Sequence, residues 1–110
     1  MAYDEQLAER VRDLLTARSA VTEKKMFGGV AWMINGNMAV GVSRRGGIFV
    51  RVEPEEAPAL LEELHVGEFG PKDSPMKGFV LVDPGILDDE HTLALWVDRG
   101  ADRASSMPPK

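Results

Sequence analysis

Cysteine is absent from the 110 residues. That excludes a disulfide framework, a thiolate nucleophile and a thiolate metal site, and it suits a reducing compartment. Histidine is almost as scarce, with only two in the chain, His65 and His91. Long apolar runs are lacking too: none is longer than Val30 to Ile34, which falls far short of the ~20 residues that span a bilayer as a helix. The opening Met1-Ala2-Tyr3-Asp4-Glu5 is polar and acidic, without the basic and then apolar pattern of a signal peptide. A cytoplasmic protein with no membrane association is expected. Positive charge is in deficit overall, since the net charge is −5, which argues against generic nucleic-acid binding.

What is present reads as one domain over residues 1–110, with 104–110 as a tail. Hydrophobic residues make up 44% of the chain and charged residues 28%, enough for a core and a soluble surface. The charge is uneven. Residues 1–52 carry eight Lys/Arg against five Asp/Glu, giving +3, whereas residues 53–110 carry five against thirteen, giving −8. Such polarity either provides a basic face for a partner or vanishes when the halves interleave on folding.

Periodicity supplies the elements. Asp4 is placed as an N-cap, with Tyr3 and Ala8 as a hydrophobic staple. Leu7, Val11, Leu14 and Leu15 then recur at helical spacing over residues 5–18. From Glu23 to Glu53 the period becomes that of strands, and Asn35-Gly36 is a type I′ hairpin signal. A two-residue loop predicts that Ile34 faces Asn37, Met33 faces Met38 and Ala31 faces Val40. One face would then hold Ala31, Met33, Met38, Val40 and Val42. Arg44-Arg45-Gly46-Gly47 makes the next turn and Ile48–Val52 the returning strand. Residues 55–64 read as a helix starting near Pro58, with Leu60, Leu61 and Leu64 buried. Val66–Phe69 and Phe79–Val82 are strands, and a final helix starts near Asp88 or Asp89. Its stripe is Leu93, Trp96, Val97, Gly100, Ala101 and Ala104, which leaves Leu95 off the packing face. The order α-β-β-β-α-β-β-α predicts an α+β domain with an antiparallel-rich sheet of about five strands and flanking helices. The segment from Lys24 to Phe27 is a candidate extra strand.

Reactive groups are thin. His65 follows a helix end, where it suits the negative pole of the dipole. Asp88 and His91 share a spacing that can begin a metal site, but no further histidine or cysteine completes one. No catalytic residue, metal or cofactor is expected. Gly28-Gly29 and Gly46-Gly47 each run into a strand, whereas a phosphate loop needs a following helix. They read as turns, a bulge or a small anion nest. Lys24, Lys25, Arg44, Arg45 and Arg51 are candidate contacts for nucleic acid or another anion, or else cations that protect strand edges.

Lys24-Lys25-Met26-Phe27-Gly28-Gly29 before an apolar strand, then Gly36-Asn37-Met38, resembles the N-terminal domain of the TfoX/Sxy family of competence regulators. Pro75-Met76-Lys77-Gly78-Phe79, Leu93 to Trp96 and the closing Met107-Pro108-Pro109-Lys110 agree with it. The signature that carries over, structural or binding, is Lys25, Met26, Phe27, Gly28, Gly29, Gly36, Met38, Met76 and Gly78. The resemblance implies a fold similar to type III secretion chaperones and a non-catalytic regulatory or protein-interaction role, as a homodimer or with an unidentified protein partner. It supplies no catalytic residues. The two-domain regulators carry a further C-terminal domain with helix-hairpin-helix character, for which 110 residues leave no room, so a stand-alone member is expected. A nucleic-acid-binding accessory using the Lys24/Lys25/Arg44/Arg45 region is the alternative.

Overall fold

A computed structural model describes residues 3–26, 28–71 and 73–110. Helix α1 (Glu5–Leu15) opens on the predicted cap, with the Asp4 carboxylate accepting from the Gln6 and Leu7 amides. Strands β1 (Val21–Met26), β2 (Gly29–Ile34), β3 (Asn37–Val42) and β4 (Ile48–Arg51) follow. Then come α2 (Ala57–Leu60), β5 (Val66–Glu68), β6 (Phe79–Val82), a 3₁₀ turn at Pro84–Ile86 and α3 (Glu90–Ser106). The six strands form a single sheet in the order β1-β2-β3-β4-β6-β5, with every pairing antiparallel. The α+β class stands as expected. The sheet has six strands rather than about five, because the Val21–Met26 segment pairs along its whole length with β2.

The Asn35-Gly36 turn has φ of +53° and +83°, the left-handed pair a type I′ hairpin needs. Met33 pairs with Met38 and Ile34 with Asn37. Beyond that point the register slips by one, so Trp32 faces Val40 and Ala31 faces Gly41. This corrects the expected pairing of Ala31 with Val40. Ala39 is the extra residue of a bulge, and a bulge turns every later side chain to the other face. Val40 and Val42 therefore join Val30, Trp32 and Ile34 in the core beneath the helices, while Gly41 falls on the opposite side.

That core is built from Leu7, Val11 and Leu15 of α1, Leu93, Trp96, Val97, Ala101 and Ala104 of α3, and the inward residues of the sheet. Each large side chain fully buried there contributes about 1.5–3 kcal/mol. Gly100 lets α3 lie close to the sheet, since a Cβ at that position would overlap the Ala39 carbonyl oxygen. The Asp89 carboxylate caps α3 by accepting from the Thr92 amide at 3.0 Å. The Thr92 hydroxyl donates to the same oxygen at 2.7 Å, and this bond first, then the one from the amide, holds the Asp89 pKa below the usual aspartate range.

The segment read as a helix over 55–64 forms only one turn, α2, and Leu64 is 89% exposed rather than buried. Pro58 occupies the first turn of α2, and the chain leaves the helix after Leu60 to supply β5. At the other end, α3 extends through Ser106, so residues 104–106 belong to its last turn. Residues beyond it lie against the β2–β3 hairpin: the Asn37 side-chain amide donates to the Pro108 carbonyl at 2.9 Å, and the Lys110 amide donates to the Asn35 carbonyl at 2.9 Å. Among the described residues, no helix is long and apolar enough to cross a membrane.

Candidate functional site

The two long helices, α1 and α3, lie on one side of the sheet, and Leu60 of α2 joins the same core. Alternation along the strands sends a second set of apolar residues to the other side. Phe49, Phe79 and Ala31 are buried there. Around them sit the half-buried Met26, Met33, Met38, Phe69, Met76 and Leu81. The rings are ordered: Phe69 stacks on Phe49 at 4.3 Å and 12°, and Phe79 meets Phe49 edge-on at 6.4 Å. The backbone amide of Met76 donates to the Phe69 carbonyl at 2.7 Å, which folds the 69–78 loop across one end of the face. A groove of about 280 Å³ continues from Met76 and Phe79 to Pro54, Pro58 and Leu61.

Three of the signature residues, Met26, Met38 and Met76, come together on this face. The others are spread around it. Lys25 is exposed on β1, opposite Val30. Gly28 has φ +74° and lies under the Arg44 side chain, where a Cβ would overlap Cδ. Gly29 is buried against the Val42 carbonyl. Gly36 forms the hairpin turn, and Gly78 accepts from the Val52 amide at 2.8 Å through its carbonyl. Phe27 lies outside the described residues. Phe49, Phe69, Phe79 and Leu81 were not singled out from the sequence. The period-two patterns of Ile48–Val52 and Phe79–Val82 carried that signal, because a strand that alternates large apolar groups on both faces has both faces covered or in use.

The candidate cations divide. Lys24, Lys25, Arg44 and Arg45 are all exposed. Lys24 and Lys25 lie on β1 beside β2 residues Ala31 and Val30, and Arg44 and Arg45 in the β3–β4 turn. Arg51 is elsewhere, at the far end of β4. Its Nε donates to the Met38 carbonyl at 2.6 Å, its Nη1 approaches Met107 Sδ at 3.1 Å, and its guanidinium lies 4.7 Å above the Phe79 ring. Burial, and then the charge of Arg103, push its pKa below the usual arginine value. Among the described residues no acid pairs with any of these five cations. Five other arginines each meet an acid: Arg10 with Glu90, Arg12 with Glu23, Arg18 with Asp98 and Asp102, Arg99 with Glu56, and Arg103 with Glu53.

The most ordered of those pairs is bidentate. Arg12 Nε and Nη2 donate to the two Glu23 oxygens at 2.6 and 3.0 Å, and Trp32 Nε1 donates to Glu23 Oε1 at 2.9 Å. The bond from Arg12, with help from Trp32, holds the Glu23 carboxyl below the usual glutamate range. It ties α1 to β1 and β2.

His65 and His91 are both exposed. His65 follows α2 by five residues and precedes β5, so it is not at a helix end. Its backbone carbonyl accepts from the Asp83 amide at 2.9 Å. His91 is in the first turn of α3, near Asp89. Among the described residues no three His, Asp or Glu side chains are grouped so as to hold a metal ion.

No curated protein and no solved structure matches this chain. The family model described as the TfoX N-terminal domain matches residues 13–104, a span that runs from α1 through all six strands to the last turn of α3. The chain therefore belongs to the TfoX N-terminal domain family.

Proposed function

We propose that this chain is a non-catalytic regulatory domain that acts by protein association, pairing with a second copy of itself through the helix-free face of the sheet. One observation carries the reading: six half-buried apolar side chains, four of them methionine, surround Phe49 and Phe79 on a face that neither α1 nor α3 covers. Thioether side chains repack readily against a partner, and a contiguous exposed apolar face is the usual mark of an interface. Family membership supports a regulatory setting akin to that of the TfoX/Sxy competence regulators. The test is light scattering coupled to size exclusion on wild type and on the double variant Met33→Glu, Met38→Glu. A dimeric wild type and a folded, monomeric variant are the expected results. A wild type that stays monomeric at high concentration would refute pairing.

A second reading has its own support. Lys24, Lys25, Arg44 and Arg45 are exposed and unpaired among the described residues, while the arginines of α1 and α3 are spent on acids. Unneutralised cations near one end of a sheet suit a phosphate backbone. Titration with duplex DNA at two salt concentrations separates the readings. Binding with a salt slope that Lys25→Ala and Arg45→Ala flatten favours nucleic acid, and no binding at low salt leaves the association domain.

A further inference from the structure

Strand β1 is the long free edge of the sheet. It has β2 on one side and no strand on the other, whereas β5, at the opposite edge, is only 3 residues long. The Asn35 amide donates to the Ala20 carbonyl at 3.2 Å, which makes that pair a hydrogen-bonded one and fixes the alternation along β1. Thr22, Lys24 and Met26 then bond to their β2 partners, so the amides and carbonyls of Val21, Glu23 and Lys25 point away from the sheet. Among the described residues none of these outward backbone groups has a partner. Two devices that commonly blunt an edge are missing, because β1 holds no proline and pairs with β2 without a bulge.

Two features beside this edge define what it fits. Lys24 and Lys25 lie in the second half of β1 on opposite faces, and the Arg44 side chain crosses Gly28 in the adjoining turn. Glu23 shares the strand but is already held by Arg12 and Trp32, which leaves the edge positive in a chain whose net charge is −5. Towards the other end of β1, a hollow of about 350 Å³ lies between it and α1, with Leu15, Val21, Glu23 and Trp32 in its wall. Lysines at an edge disfavour a second copy of that edge and admit a strand of opposite charge. We propose that β1 takes up an acidic, extended peptide segment of a partner protein, which adds antiparallel to the sheet as a further strand. Its backbone bonds to Val21, Glu23 and Lys25, and these bonds supply affinity while side-chain contacts supply specificity. A residue opposite a given position points to the same face. Adjacent acids therefore meet Lys25 and Lys24, and an apolar side chain opposite Val21 enters the hollow. The motif, in peptide order, is acid-acid-x-x-apolar. The site does not use the helix-free face, so it stands whether or not two copies pair there, and it assigns Lys24, Lys25 and Arg44 to carboxylates rather than to a phosphate backbone.

The test titrates the ¹⁵N-labelled full chain with an acetylated, amidated peptide, Thr-Glu-Glu-Thr-Thr-Leu-Thr, and follows the backbone amides. The Val21, Glu23 and Lys25 amides are expected to shift saturably and to exchange more slowly, while those of Thr22 and Lys24 move less. Glutamine in place of both peptide glutamates should weaken binding about tenfold, and alanine in place of its leucine about fivefold. Lys25→Pro removes one outward donor without touching the ladder to β2, so it should bind more weakly than Lys25→Gln. If Lys25→Pro does not fold, the same peptide N-methylated at its central threonine takes its place and should lose binding. Equal binding of the glutamine peptide, full binding of the N-methylated one, or shifts spread evenly along β1 overturn the proposal. So does tighter binding of a single-stranded oligonucleotide of the same charge, which would return these cations to nucleic acid. The same shifts produced by concentrating the chain alone would assign the edge to a second copy and overturn it too.

Discussion

The ring of Phe49 on β4 occupies the space that a side chain at Gly41 on β3 would take, and a Cβ at Gly41 would overlap three of its ring atoms. The two are Cα partners in the ladder. Phe49 can lie flat on the helix-free face, stacked with Phe69, only because its neighbour is glycine. Gly41→Ala should therefore cost about 1–3 kcal/mol through overpacking. Phe49→Ala should cost about 3–5 kcal/mol. Urea unfolding of both variants and of the double variant checks this. Since the clash needs the ring, Gly41→Ala should cost less in the Phe49→Ala background, and strict additivity would count against the relationship.

Glu23 accepts from both Arg12 and Trp32 Nε1, and its pKa lies below the ordinary value of 4.5. A carboxylate depressed on folding contributes stability above its unfolded value, and loses it as pH falls through the lower folded one. Stability should thus decline as pH drops from about 4.5, and Glu23→Gln should lack this part of the decline. Glu23→Ala also strips the buried Trp32 indole of its acceptor, at a cost of about 1–3 kcal/mol. Melting temperatures from pH 7 down to pH 3 distinguish the three proteins.

Gly100→Ala sets two effects against each other. Alanine in a helix interior gains about 1 kcal/mol over glycine. Here the new methyl group meets the Ala39 carbonyl oxygen and a Val50 methyl, and the backbone of a central strand has little room to yield. The crowding cost, about 1–3 kcal/mol, should win, so the variant melts lower than wild type. A higher melting temperature would mean that α3 can move away from the sheet freely.

Removal of Met107–Lys110 leaves the side-chain amide of fully buried Asn37 without its Pro108 acceptor and takes the Met107 sulfur from Arg51. Loss of about 1–3 kcal/mol is expected, with faster hydrogen exchange at the β2–β3 turn. Unchanged protection there would show that these residues do not hold the hairpin.

Much of the architecture was legible from local pattern. The caps Asp4 and Asp89, the Asn35-Gly36 turn and the stripe from Leu93 to Ala104 depend on residues a few positions apart, and the chemistry of a cap or a turn is the same wherever it occurs. The family signature was legible for the same reason, as short words in order. The candidate surface was legible only in part. Met26, Met38 and Met76 were named, but the phenylalanines they surround belong to strands and a loop far apart in the chain.

Which residues share a neighbourhood was decided by the three-dimensional packing. The bulge at Ala39 exchanged Val40 for Gly41 on the helix-free face, a one-residue slip that no turn rule foretells. The sheet order carried Arg51 away from Arg44 and Arg45 and brought it to Met107, 56 positions later by residue number. Patterns along a chain record the preferences of each segment for helix, strand or turn. Charges and rings meet through contacts between distant segments, and those depend on register and strand order, which are set when the whole core closes.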